Sequence, residues 1–390
     1  MIGRNIPIPH LYGNFSAASN MNTPLLNAAN IATGGDFFAP SLFSLGLGPW
    51  MGAAILWRFL MIDRFARKRK WSQKATNYAR AALMVVLAGF QGISLMSNYE
   101  IRPLTISPFT DPIYAQIMIL AVMVTGSLVV VWLANRNQEK GFGGMTMFIL
   151  YQIIISSMRN FTNLSGYILA PQYRRTVILI AVTCVIIVIV TVLAANVELR
   201  LHVNKIAIDS GYIHKSYLPI KVNPGGAAPV MYALTLIMIP QYIVHALSLL
   251  FPAGTTGITH FFSHLLLSDP IGFNIYLVLL FVLTIFFGLF TVNPKDISDQ
   301  MKDSGDYFDG IAPGGPTKRH IRIRVVVLSI ISGVILVVLT GFPLYFLEVD
   351  QTLSYLYIFP ATVMMYVSLL MVIKEEISDL IISTKYTPLF

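Results

Sequence analysis

His260 and His264 stand four apart in THFFSH, a spacing that puts two imidazoles on one helical face and suits a divalent metal. A metal centre needs further ligands, and no carboxylate stands beside this pair, so the sequence predicts no metal site. His245 lies inside an apolar run, where helix packing is the expected role rather than proton relay. Cys184 is the only cysteine and also lies within an apolar run. It can form no disulfide within the chain and reads as a small packing residue. All eighteen Asp and Glu fall at the ends of apolar runs or between them, none in the middle of one. Ion-coupled transporters normally keep a carboxylate near the bilayer midplane, so this distribution argues against proton- or sodium-driven uptake of a small solute. Paired acids and a Ser–Lys dyad are likewise missing from the depth of the apolar runs, and the sequence has no phosphate-binding loop. The chain reads as a non-enzyme without a cofactor, and any ATP hydrolysis would belong to another subunit.

Glycine, proline and methionine recur in a pattern of their own. SLGLGPWMGAA and NPGGAAPVMYA each give a glycine-rich bend, then Pro-x-Met (Pro49 to Met51, Pro229 to Met231), then small residues. KGFGGMTMFIL opens a third apolar run in a similar way. Irregular backbone at membrane depth is tolerated only where it lines a cavity or is buried in protein. Two such bends at matching places in two halves suggest an inverted repeat around a central path. NTPLLNAANIATGGDFF, residues 22–38, is too short to span and carries Leu25, Leu26, Ile31 and the break Gly34–Gly35. It predicts a short re-entrant helix.

These residues must be positioned by nine apolar runs, at about 42–62, 78–97, 114–134, 145–158, 176–197, 227–250, 272–292, 323–346 and 354–373. A helix needs roughly 20 apolar residues to cross the hydrocarbon core. With 55% hydrophobic and 12% charged residues, a soluble globular domain is excluded. The fourth run is short and interrupted. The fold class is therefore all-α, a polytopic membrane protein, with an N-terminal half at 1–170 and a C-terminal half at 171–390. Twenty of the 27 basic residues fall on one alternating set of loops and the C-terminal tail. The positive-inside rule makes that side, and the tail, cytoplasmic. The net charge of +9 then reflects topology and anionic lipid, not nucleic acid. An odd number of runs would put the N-terminus outside with nothing to carry it there, so a further helix is expected upstream of Met1. Arg58 lies inside the first run, about four residues from its cytoplasmic end, and is expected to snorkel to water.

Six segments in collinear order resemble the SecY family of protein-conducting channels. IGRNIPIPH is similar to the family's RxGxxIPxPG, SLFSLGLGPWMGAAILWRFL to its second helix, and KWSQKATNYARAALMVVLAGFQGI to its third with the preceding basic loop. EKGFGGMTMFIL resembles the RGIGNGIS motif opening the fifth helix. LPIKVNPGGAAPVMYA resembles LPLKVNxAGVIPxIFA of the seventh. NPKDISDQMKDSGDYFDGIAPGGPTKRHI resembles the loop between the eighth and ninth. Numbered this way, the nine runs are family helices two to ten, in two pseudo-symmetric halves, and the first is missing.

The resemblance implies a set of roles. A pore ring would comprise Leu47, Met51, Met231 and Met365. The fifth helix would add Met145 and Ile149 if GFGG carries a one-residue deletion, otherwise Thr146 and Leu150; the first register keeps the ring apolar. An apolar ring suits a channel that must block ions when idle, because ions would have to shed water there, and methionine moulds to varied side chains. Residues 23–38, with Leu25, Leu26, Ile31, Gly34 and Gly35, would be the plug. Gln91 and Asn223 match polar positions of the lateral gate, while Gly52 stands near a third. Loops 198–226 and 293–322, with Arg200, Lys205, Lys295, Lys302, Lys318 and Arg319, would dock a SecA-type motor ATPase. Ala312 replaces the arginine of the family's GIRPG, a departure that resembles the accessory SecY branch of Gram-positive bacteria. That branch implies export of an unfolded, serine-rich glycosylated adhesin preprotein across the plasma membrane, with small SecE/SecG-like subunits. The alternatives are a housekeeping SecY-type channel or a small-solute secondary transporter.

Overall fold

Within lipid an open chain satisfies every backbone N–H and C=O only as a helix, and each of the nine apolar runs contains one. The computed structural model describes residues 6–8, 11–12, 41–62, 72–97, 99–101, 112–155, 174–205, 216–250, 270–346 and 359–386. The run helices are α1 (Gly48–Ile62), α2 (Gln73–Met96), α3 (Pro112–Lys140), α4 (Gly144–Ile155), α5 (Arg174–Asn196), α6 (Ala228–Leu250), α7 (Pro270–Thr291), α9 (Gly315–Phe346) and α10 (Phe359–Tyr386). Among the described residues, α2, α3, α5, α6, α7 and α9 carry stretches long and apolar enough to cross a membrane unaided. α1 falls short because turns occupy 42–47 at its entrance. α4 is short, as its interrupted run predicts. In α10 the apolar part continues directly into Lys374, Glu375 and Glu376.

The helix α8 (Pro294–Ser304) is polar and follows α7 after a two-residue break. Its start is set by Asn293, whose side chain accepts a hydrogen bond from Lys295 N at 3.2 Å, and by Pro294 in the first turn. Gly305 ends it in the left-handed conformation, at φ 78°.

α6 is the most buried of the spanning helices and α5 the most exposed. α1 packs on α2, both pack on α6, α6 on α7, and α7 on α9; on the other flank α5 packs on α10. α2 also holds α3. One large apolar cluster runs through the centre and includes Ile55, Met123, Ile153, Met238, Leu280 and Met364.

The expected helical architecture holds, and two strand pairs add to it. β1 (Leu11–Tyr12) pairs antiparallel with β2 (Glu100–Ile101). β3 (Glu198–His202) pairs antiparallel with β4 (Tyr217–Lys221), in the register Glu198 to Lys221 through His202 to Tyr217. ELRLH and YLPIK alternate polar and apolar, the period of a half-buried strand. Leu199, Leu201, Leu218 and Ile220 face a second small core of Val203, Met301, Phe308, Ile321, Val325 and Leu328. The two long polar loops therefore share one apolar centre with α8 and the first turns of α9.

Candidate functional site

Three of the helices around the central cluster begin at the glycine-marked bends. Gly46 before α1 (φ 55°), Gly143 and Gly144 before α4 (φ 73° and 42°), and Gly226 before α6 (φ 56°) all take left-handed backbone. Polar side chains hold two of these bends. Asn137 Nδ2 donates to Phe142 O at 2.8 Å and Gly144 O at 3.2 Å. Asn223 Nδ2 donates to Gly226 O at 3.2 Å. Each bend leaves an apolar side chain at its helix entrance directed inward: Met51 N donates to Leu47 O at 3.0 Å, and Met231 N to Ala227 O at 3.3 Å, which closes the first turns of α1 and α6.

A cavity of about 570 Å³ lies between these entrances. Met51 of α1, Met145, Thr146 and Ile149 of α4, and Met231 of α6 line it. Thr191 of α5, Val292 after α7, and Ser368, Leu369 and Val372 of α10 also line it. Its rim is polar. Lys221 from the end of β4 pairs with the Glu375 carboxylate of α10, and both line the cavity. Next to them, Gly143 N donates to Glu376 Oε1 at 2.9 Å, so α10 also anchors the bend that starts α4.

Of the expected ring residues, Leu47, Met51, Ile149, Met231 and Met365 are all buried in the one central cluster, between 0% and 7% exposed. Met145 is half-buried. Met51, Met145, Ile149 and Met231 share the cavity wall; Leu47 and Met365 lie in the same cluster but not on that wall. In the alternative register Thr146 is on the wall, whereas Leu150 is not.

The two expected gate residues are both buried but are not joined by a hydrogen bond. Asn223 sits on the cavity wall, while Gln91 is buried in α2 away from it. The seam between α1, α2 and α6 is filled instead by apolar contacts among Ala53, Met84, Leu87 and Ile239. Gly52 lies in that seam, where an added Cβ would stand 3.0 Å from Ile239 Cδ1 and 3.1 Å from Leu87 Cδ1. A side chain at position 52 would have to push the ends of Ile239 and Leu87 aside.

Two contacts across the seam escaped the sequence reading. Ser97, which ends α2, has its Oγ 2.8 Å from His245 Nε2 of α6. Arg58 is half-buried near the end of α1, and its guanidinium lies over aromatic rings of α6 and α7. A residue's position within its own helix carries no sign of partners so distant in sequence.

Arg200, Lys205, Lys295, Lys302, Ala312, Lys318 and Arg319 are all exposed on the folded unit built by β3, β4 and α8. Arg200 Nε donates to Glu198 Oε1 at 2.9 Å, and its guanidinium stacks 4.8 Å above the Tyr217 ring. The bond to Glu198, and then the nearby Tyr217, raise the Arg200 guanidinium above its ordinary value. Asn204 and Tyr307 exchange backbone hydrogen bonds at 2.9 and 3.0 Å, which ties the ribbon to the second loop. The Ala312 carbonyl accepts from Thr317 Oγ1 at 3.0 Å. The expected plug, with Leu25, Leu26, Ile31, Gly34 and Gly35, the pair His260 and His264, and the boundary at 170 lie outside the described residues. Among the described residues no group of three or more His, Cys, Asp or Glu could hold a metal.

Bent helices that enclose a cavity within a multi-span bundle define a membrane protein of channel architecture. Solved structures share it: one described as the structure of a protein conducting channel aligns at TM-score 0.62 and 16% identity, covering 96% of this chain and 88% of that one. Sec61 in the canine ribosome–channel complex aligns at 0.55 and 17% identity, again over 96% and 88%. The family model described as SecY matches residues 41–375, and the chain belongs to the SecY family. Its relatives include the accessory Sec system protein translocase subunit SecY2 of Leuconostoc gelidum subsp. gasicomitatum, 34% identical over all of this chain and 93% of that protein. The protein of the same description from Streptococcus sanguinis is 27% identical over 100% and 94%.

Proposed function

We propose that this chain is the central protein-conducting subunit of an accessory Sec translocase in the plasma membrane. The observation that supports this reading most is the apolar collar. Met51, Met145, Ile149 and Met231 come from three separate helices and converge on one cavity with a charged rim. A collar of this kind lets an unfolded chain slide past without specific contacts and withholds the hydration that ions require. Met145 and Ile149 are the α4 members of the ring, Leu47 and Met365 are its members in the buried cluster beside the cavity, and residues 23–38 are the plug. The basic end of the bundle and the C-terminal tail face the cytoplasm. The exposed cations of β3, α8 and α9 dock a SecA-type ATPase, and small SecE/SecG-like subunits flank the bundle. The substrate is an unfolded preprotein, a serine-rich glycosylated adhesin. The names of the SecY2 relatives support the accessory assignment over a housekeeping channel.

The test is conductance of planar bilayers or vesicles that contain the purified complex. Met231→Lys or Met365→Lys should make the resting complex leak ions, while the parent stays tight. Unchanged resting conductance in both variants would overturn the ring. Saturable uptake of a small solute by vesicles containing this protein alone would favour the transporter reading instead.

A further inference from the structure

GPWMGAAILWRFLMI, the sequence of α1, holds a single charged residue, Arg58. A cation in such a helix normally extends its stem until the head reaches water. Here the guanidinium carbon lies 4.3 Å from the centroid of Phe290, 5.2 Å from Phe287 and 5.8 Å from Tyr232. All three are within the ~6 Å over which a cation is attracted to a ring face. Phe287 and Phe290 belong to α7 and Tyr232 to α6, so the cation comes from one wall of the seam and its cage from the other. The cage is itself ordered. Tyr232 stacks on Phe287 at 4.9 Å and 15°, and Phe286 stands edge-on to Phe287 at 5.6 Å and 85°. Phe59, the neighbour of Arg58 on α1, stacks on Phe286 at 5.2 Å and 22°. Among the described residues Arg58 makes no ion pair.

We propose that Arg58 is a clasp that holds α1 against α6 and α7 while the channel is idle, and that an apolar segment enters between them only after the guanidinium leaves its cage. This rests on the channel reading above. The chemistry suits a reversible closure. The cage is partly open, with Phe290 53% exposed and Arg58 half-buried, so the attraction to the ring faces is modest and has no rigid geometry to break. The released side chain has a second place to go, because Arg58 lies one turn from the end of α1 and can reach interfacial water once freed. One side chain thus has a caged, half-buried position that closes the seam and a fully hydrated position that opens it. Guanidinium is the better occupant, since its flat, weakly hydrated face stacks on rings as an ammonium does not.

The seam can be read directly without transport. In a Cys184→Ala background, Ala53→Cys on α1 and Ile239→Cys on α6 place two thiols in one buried cluster, and copper-catalysed disulfide formation is followed in membranes that contain the full chain and its partners. Arg58→Gln should slow this reaction about twofold to fivefold, the span expected for a cation–ring attraction lost at a partly exposed site. Arg58→Lys should slow it less than Arg58→Gln. Phe290→Leu, which leaves every charge in place, should also slow it, and Phe290→Leu combined with Arg58→Gln should be no slower than Arg58→Gln alone. A rate equal to the parent's in Arg58→Gln or in Phe290→Leu overturns the clasp. So does a combined variant whose slowing is the product of the two single effects. A slowed reaction in a complex that fails to conduct polypeptide would sink the channel reading and leave the clasp standing; the reverse pair of results would do the opposite.

Discussion

Single side chains decide how firmly the two walls of the seam meet at its far end from Arg58. Ser97 Oγ donates to Ser94 O at 2.8 Å, which leaves its lone pairs to accept from the Nε2–H of His245, also at 2.8 Å. The pair joins the last turn of α2 to the last turns of α6. Hydrogen bonds between membrane helices contribute roughly 0.6–2 kcal/mol each. Ser97→Ala and His245→Ala should each lower the thermal midpoint of the purified complex, and the double variant should fall no further than the worse single one. Additive losses would show that the two side chains act separately. His245 was legible as a packing histidine, because an unpaired ring on an apolar helix must find a partner. Which partner was not legible, since α2 and α6 are far apart in the chain and neither residue carries a motif. Arg58 repeats the point: its place near the end of α1 was legible, and only the folded bundle brings three rings to it.

At the scale of elements, helices were legible wherever lipid dictates the answer. An apolar run must form its own hydrogen bonds, so α2, α3, α5, α6, α7 and α9 follow from length and composition. The three bends were legible for a related reason. Glycine clusters at the starts of α1, α4 and α6 mark backbone that other residues adopt only with strain, and Gly46, Gly143 and Gly226 do adopt it. The ribbon β3–β4 was missed although its alternation stands in ELRLH and YLPIK. Two five-residue strands give a weak signal beside long apolar runs, and their partner core comes from α8 and α9, much later in the chain. Helix contacts also depend on single residues that composition does not reveal. Gly126 of α3 meets the turn before α1 so closely that an added Cβ would stand 1.8 Å from Leu42 O. Backbone cannot rotate away as a side chain can. Gly126→Ala should therefore destabilise the complex by about 1–3 kcal/mol or more, as overpacked sites do, seen as an earlier thermal midpoint in detergent. Gly89, with no atom within 4 Å of an added Cβ, is the control, and Gly89→Ala should leave the midpoint nearly unchanged.

Across the whole molecule, β4 joins the folded unit of loops to the cavity. β4 leads from the exposed ribbon straight to Lys221 on the cavity rim, and Lys221 meets Glu375 of α10. One residue further along α10, Glu376 holds Gly143 N at the start of α4, whose Met145 and Ile149 face the cavity. On the function proposed above, a push on the ribbon by a docked motor would have a route, through β4 and α10, to the cavity wall. Both partners of the ion pair are nearly half exposed, at 44% and 46%, so its effect on stability is small, roughly 0–1 kcal/mol. Its importance lies in geometry. Glu375→Lys sets two cations side by side at the rim and should lower the rate of motor-driven preprotein export severalfold, with little change in the thermal midpoint. Lys221→Glu combined with Glu375→Lys restores opposite charges in the same place and should recover most of the lost rate. Export measured in vesicles with the motor and ATP checks both. A reversed pair that stays as slow as Glu375→Lys alone would mean that the rim acts through the identity of each residue rather than through their attraction, and the proposed route from ribbon to pore would have to run elsewhere.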